Sequence, residues 1–349
     1  MTPAGGRSGP GGVEEALRVT DAWFARNGLT YFVPEERAAV RRALRPRRTT
    51  VPAVAGVVAA AALGALLGVL TGSAGTGVAL LLTVLGVAAL WYALTALRFR
   101  HILAWALGRT FRSLARFLPM AMRALPLLLL FVTFLFINAE VWQLSAHLGT
   151  GALWLVALLF AGSAVTFLLI RLPEEVDVVD DHVDDEFLRR ACAGTPLEGP
   201  CEDLLARPEG ERGSDPAAYA EISGLERWNL VLALLVIQAV QVVLLAAAVF
   251  VFFLVFGALV MTVPVQESWT QMTDVHSLAG IPSLSLELVK VSLFLSLFSL
   301  LYLTVSTVTD ETFRAQFFST VLRELERAVG MRAVYRALRA RAPQPPEVV

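Results

Sequence analysis

Long apolar runs constrain this chain more than any other feature. Five stretches, about 51–71, 77–97, 124–144, 151–171 and 286–308, are apolar for roughly the 20 residues that a helix needs to cross a hydrocarbon core about 30 Å thick. A sixth run, 229–263, would exceed about 50 Å as one helix, more than a single crossing requires. Gln238 and Gln241 interrupt its first third, and no Gly/Pro turn divides it. It reads as one long helix that crosses from about 241 to 262 and projects from the membrane at its start; two crossings are the competing reading. Of the 349 residues 56% are hydrophobic and 17% charged, with mean hydropathy +0.64, too little charge to cover a soluble domain. The expected fold is all-α, a polytopic membrane bundle of about six transmembrane helices with amphipathic cytoplasmic helices attached. Three regions follow: an N-terminal segment 1–50, a transmembrane region 51–308 that includes an acidic loop 172–228, and a C-terminal helix and Pro-rich tail 309–349.

Arginine sets the expected orientation. Nine Arg or Lys residues fall in 1–50, six in 98–123, six in 171–228 and seven in 314–341, which leaves only Lys290 of the 29. The connections near 72–76, 145–150 and 264–285 contain none. The two sets alternate as six crossings require, so the positive-inside rule places both termini and the basic segments in the cytoplasm. Residues 1–12 are Gly/Pro-rich and lack the apolar core of a signal peptide. Cys192 and Cys201 lie in a segment on the cytoplasmic side, where they are expected to stay reduced and unpaired.

The segments between spans differ in character. Residues 13–48 read as two short helices about a break at Asn27-Gly28, ending in Arg41, Arg42, Arg45, Arg47 and Arg48. That cluster suits anionic lipid headgroups, and serves equally as a topological anchor. In 98–118, Arg98, His101, Arg109, Arg112 and Arg116 share one helical face and Leu103, Leu107, Phe111, Leu114 and Leu118 another. Such a helix either lies on the inner leaflet or packs under the bundle as an elbow. The loop 171–228 carries 16 acidic residues against six arginines. Within it Asp180, Asp181, His182, Asp184 and Asp185 are dense enough in oxygen ligands to suit a divalent cation. Their spacing matches no EF-hand loop, and a solvated acidic cap on a helix beginning at Phe187-Leu-Arg-Arg-Ala is the competing reading. The remainder, to about Asp215, is Gly/Pro-rich and expected to be mobile. In 310–341, Phe318, Leu322, Leu325 and Val329 form one face of a helix that docks on the bundle or pairs with a second copy in a homo-oligomer.

Inside the spans, polar and small residues carry the information. Gly56, Ala60, Gly64, Gly68 and Gly72 recur every four residues, a seam that lets two backbones approach, with the second span as the expected partner. Ser285, Ser292, Ser299 and Ser306 recur every seven residues, with Ser296 beside them. They either line a hydrated path or bond their own backbone carbonyls in a tight helix contact. Charges within spans are Glu140, Glu287 and Lys290, with Asn138 and Gln143 as polar neighbours of the first. A Glu140–Lys290 interhelical pair is expected, with Glu287–Lys290 at i and i+3 competing.

Enzyme signatures are missing. There is no HExxH, Lys290 lies in no phosphate loop, and no histidine lies mid-span to activate Gly162-Ser163 as a nucleophile. Glu267-Ser268-Trp269 follows a span too closely to leave room for a pore helix. No cofactor is expected, and the net charge of −1 favours no nucleic-acid partner. Trp23-Phe-Ala-Arg-Asn-Gly28, Leu125-Pro-Leu with Asn138-Ala-Glu-Val-Trp-Gln143, and Asn229 with Gln238-Ala-Val-Gln241 resemble uncharacterised multi-pass integral membrane proteins of actinobacteria. The resemblance implies a bacterial plasma membrane and no particular activity. Two functions stay open. A small-solute or ion transporter would use the buried polar ends of the third and sixth spans, and this is the favoured reading. A non-transporting structural or regulatory protein would engage the lipid bilayer, its headgroups or cytoplasmic partners.

Overall fold

A computed structural model describes residues 10–180, 183–207, 215–278, 280–309 and 311–341. The N-terminal segment forms α1 (Pro10–Arg26) and α2 (Pro34–Ala43), parted at Gly28. Gly28 takes φ +73°, and a Cβ there would meet the Trp105 ring at 2.9 Å, so both backbone and space require glycine. Next come α3 (Pro46–Leu70) and α4 (Ala74–Thr95), joined by a tight turn in which Gly72 has φ +61°. The two helices pack along each other as a hairpin.

The third apolar run departs from expectation at both ends. Residues 98–118 form no separate helix, because α5 runs unbroken from Phe99 to Phe136 over 38 residues. The run then does not continue to 144 as a straight span. Leu128–Phe136 and Ala139–His147 meet at 75°. Asn138 causes the break: its side-chain carbonyl accepts the Glu140 N–H at 2.8 Å and starts α6 (Ala139–His147) as an N-cap. The Trp142 indole N–H closes the corner by donating to the Phe136 carbonyl at 2.7 Å.

The chain continues through α7 (Thr150–Asp180), α8 (Asp185–Cys192) and α9 (Glu198–Leu205). The segment to Asp215 is therefore not a wholly mobile loop. Leu197, Cys201 and Leu204 are buried, which gives α9 an apolar face to dock; residues 208–214 lie outside the described ones. The long run 229–263 falls mostly within one continuous helix, α10 (Gly224–Val260). After α11 (Val263–Thr270) a small antiparallel hairpin of β1 (Ser277–Leu278) and β2 (Ile281–Ser285) leads into α12 (Leu286–Thr309). Last is α13 (Glu311–Arg341).

Among the described residues, four segments are long and apolar enough to cross a membrane: Ala74–Thr95, Thr150–Asp177, Gly224–Val260 and Leu286–Ser306. The bent Leu128–His147 pair makes a fifth if it is one span, and Val54–Leu70, the part of the 25-residue α3 whose side chains are described, is apolar as well. Only 11% of the apolar windows in α4 and in α7 is buried within the molecule. Surface of that kind and extent needs an apolar surrounding, which a bilayer supplies. The protein is an all-α helical bundle of the membrane type.

Two apolar cores divide it. The first joins α1, α2, the start of α5, the end of α7, α8, α9, Leu230–Ile237 of α10, and Leu325–Leu338 of α13. The second, at the other end, joins Leu128–Phe136, Trp142, Val242–Phe253 of α10 and Leu288–Leu303 of α12. The four arginine-bearing segments of the sequence thus meet in one packed module, called here the basic end. α10 passes through both cores.

Candidate functional site

Polar side chains concentrate at the centre of the basic-end module and in the cap over the opposite end. In the module, Glu226 on the first turn of α10 is 2% exposed and Arg332 of α13 is 1% exposed. Arg332 donates Nη2–H and Nε–H to one Glu226 carboxylate oxygen at 2.7 and 2.9 Å. Its Nη1 donates to the Tyr219 and Glu221 carbonyls at 2.6 and 2.5 Å, so the guanidinium closes the turn ahead of α10 as well. Arg37 of α2 and Arg336 of α13 complete the ring around the same carboxylate. One acid therefore ties together three helices. Burial holds Arg332 below the ordinary arginine value, while the Glu226 charge pulls the other way.

Around this centre α1 and its turn are pinned by further buried bonds. Asn229, one turn along α10, accepts the Tyr31 N–H and donates to the Gly28 carbonyl, both at 2.8 Å. The Tyr31 hydroxyl donates to the Leu97 carbonyl at 2.7 Å, and burial pushes its pKa up to about 12. Tyr335 donates to Asp21 at 2.8 Å, and burial raises the carboxyl of Asp21 although that bond opposes it. Cys192 and Cys201 are free and buried; the neighbouring Cys201 thiol, then burial, raises the Cys192 thiol.

At the opposite end the expected Glu140–Lys290 pair does not form. Glu140 is exposed, and no ion pair to it occurs among the described residues. The Lys290 ammonium instead donates to the Ala146 and Leu148 carbonyls at 2.8 and 3.1 Å. It caps the C-terminus of α6, where a cation meets unpaired carbonyls and the negative end of the helix dipole. Because Asn138 bends the chain, Glu140 sits at the start of α6 and Ala146 at its far end, so α12 meets the wrong terminus for the pair. Glu287 does not take its place: the 2%-exposed carboxylate accepts from the His276 backbone N–H at 3.2 Å and faces its Nδ1 at 3.1 Å. Asn138 is spent on the cap, and the Gln143 carbonyl lies 2.8 Å from Nδ1 of His147. Gln266 of α11, wholly buried, donates to the Met261 and Ser283 carbonyls at 2.9 Å and accepts from the Ser285 hydroxyl at 2.5 Å.

The serine stripe divides. Ser285 holds Gln266 and accepts the Leu288 N–H at 2.9 Å. Ser296 and Ser299 donate to Leu293 and Leu295 carbonyls of their own helix, both at 2.8 Å. Ser292 is buried with no partner, and Ser306 is half-buried. In α10, both amide atoms of Gln238 and the Oε1 of Gln241 are likewise buried and unpartnered. The glycine seam is real over part of its length. A Cβ on Gly64 would lie 2.7 Å from the Gly77 carbonyl oxygen, and one on Gly77 2.5 Å from that of Gly64. Gly68 also lies against Gly77, but Gly56 has nothing within 4 Å. Of the acidic cluster, Asp184 accepts the Phe187 N–H at 2.7 Å as the N-cap of α8, and Asp185 follows in its first turn. Asp181 and His182 lie outside the described residues, as does the side chain of Asp180. No group of three potential ligands comes together among the described residues.

Sequence reasoning missed Glu226, Arg332, Gln266 and His276. Arg332 left a signal: it falls seven residues after Leu325 and three after Val329, in the register of an apolar face. Gln266 and His276 left none, since their partners lie across a turn whose geometry the sequence does not specify. No family model, curated protein or solved structure matches the chain.

Proposed function

We propose that the chain is a multi-pass protein of a bacterial plasma membrane, with both termini in the cytoplasm, and that it works as a non-enzymatic, non-transporting structural or regulatory protein. One observation carries this reading: every arginine-bearing segment contributes to a single module locked by Glu226 and Arg332. A bundle whose inner connections fold into one body presents a defined surface to lipid or cytoplasmic partners. Lys290 and part of the serine stripe, which suggested a solute path, are occupied in local bonds: Lys290 on the Ala146 and Leu148 carbonyls, Ser285 on Gln266, and Ser296 and Ser299 on their own helix. The resemblance to actinobacterial membrane proteins supports the location.

Cysteine labelling in intact cells tests the orientation. A thiol introduced at Asp274 reacts with a membrane-impermeant maleimide from outside, and one at Arg18 reacts only after lysis. The reverse pattern overturns the orientation. Reconstitution into liposomes tests the activity: leakage of ions and small solutes stays at the level of empty vesicles.

A transport reading keeps one specific observation in its favour, the orphaned amide of Gln238 and the orphaned Oε1 of Gln241 inside α10. Buried polar groups without partners are costly and mark places where water or a ligand fits. Flux above empty vesicles that is lost in Gln238→Leu would replace the first reading with this one.

A further inference from the structure

The α3–α4 hairpin is tight at one end and open at the other. Gly64 and Gly68 against Gly77 bring the two backbones together near the turn. Toward the basic end the helices part, and Gly56 has open space where a Cβ would be. The opening is a groove of about 930 Å³ lined by Gly56, Val57, Thr83, Ala88, Trp91 and Tyr92. From Thr83 to Tyr92 it runs about 14 Å by helical rise. Its walls are mostly hydrocarbon among the described residues. The Thr83 hydroxyl donates to the Ala79 carbonyl and accepts from the Trp154 indole, and the Tyr92 hydroxyl donates to the Ala43 carbonyl at 2.8 Å.

That last bond sets what lies at the groove's end. Ala43 closes α2, and the two residues before it are Arg41 and Arg42, both exposed. Neither makes an ion pair among the described residues; the Arg42 Nε reaches only the Ala38 carbonyl, at 3.4 Å. An apolar slot whose end is tied through Tyr92 to Ala43, next in sequence to two exposed arginines without ion pairs among the described residues, matches a molecule with a long hydrocarbon tail and an anionic head. A second copy of the chain fits less well, since a two-fold contact through this slot would bring like charges together.

We propose that the α3–α4 groove is a binding site for one anionic phospholipid, with an acyl chain laid between Gly56 and Trp91 and the phosphate held by Arg41 and Arg42. The inference rests on the membrane reading of the apolar helices but not on orientation or on the absence of transport, because its test is made in detergent.

Native mass spectrometry of the purified full chain, titrated separately with dioleoyl phosphatidylglycerol and dioleoyl phosphatidylcholine, provides that test. Wild type retains one phosphatidylglycerol in preference to phosphatidylcholine. Gly56→Leu, at a position where an added Cβ meets nothing within 4 Å, fills the slot and lowers retention of both lipids about tenfold, the effect of displacing roughly two methylenes. Arg41→Gln with Arg42→Gln lowers retention of phosphatidylglycerol alone, by about thirtyfold (about 2 kcal/mol) at about 1 kcal/mol per cation. Circular dichroism and monodispersity confirm that both variants fold. Equal retention of the two lipids by wild type overturns the proposal, as does wild-type retention in Gly56→Leu. A dimer in the wild-type spectrum that disappears in Gly56→Leu overturns it in favour of a second copy.

Discussion

A single buried arginine does more for the module than any other side chain described. Arg332 neutralises Glu226 and satisfies backbone carbonyls at Tyr219 and Glu221. Arg332→Met leaves the buried carboxylate to Arg37 and Arg336 and removes the donor to the Tyr219 and Glu221 carbonyls, and is expected to lower stability by about 2–3 kcal/mol in thermal or denaturant unfolding. Adding Glu226→Leu restores only part, because the carbonyls stay unpaired. Tyr31 gives a pH signature. Its pKa is raised from 10.0 to about 12, so it favours the folded state fully below pH 10 and loses that contribution as pH rises to 12. Alkaline unfolding followed by tyrosinate absorbance should be less steep in Tyr31→Phe. That variant also loses the bond to Leu97, worth about 1 kcal/mol at neutral pH. Tyr335, raised by burial and by its bond to Asp21, keeps part of the slope in place.

Among the elements, the short helix α6 explains why the expected ion pair was wrong. Apolar residues run through most of 124–144, with Asn138, Glu140 and Gln143 clustered near its end, and depth along a straight helix places Glu140 opposite Lys290. An asparagine cap overrides that reckoning, since it bends the chain by 75° and presents the other terminus of α6 to α12. The two arrangements predict different mutants. Lys290→Met should cost about 1–2 kcal/mol through the lost cap on Ala146 and Leu148, while Glu140→Gln leaves the melting temperature unchanged. A double-mutant cycle with coupling near zero would confirm that the residues act apart; strong coupling would restore the pair.

For the whole molecule, apolar run length was enough to read the helical class, and the glycine interval gave the α3–α4 contact over Gly64 and Gly68. The module was harder to see. Its core is built from segments up to 314 residues apart, as in the bond between Asp21 and Tyr335, and the sequence leaves open whether 98–118 and 310–341 pack on the bundle or elsewhere. Amphipathicity shows that a face is buried, not what buries it. If the core is shared, removing α13 should disorder α1 and α2 as well: a chain ending at Thr309 is expected to be cut by trypsin near Arg26 and Arg37, sites protected in the full chain. The two cores are also joined mechanically. α10 is 37 residues long, about 55 Å, with Glu226 gripped at one end and Gly257 wedged against Leu288 and Phe136 at the other. A stiff rod clamped at both ends transmits tilt and displacement, so a disturbance where Gly257 meets Leu288 and Phe136 reaches the arginine ring without any intervening loop to absorb it.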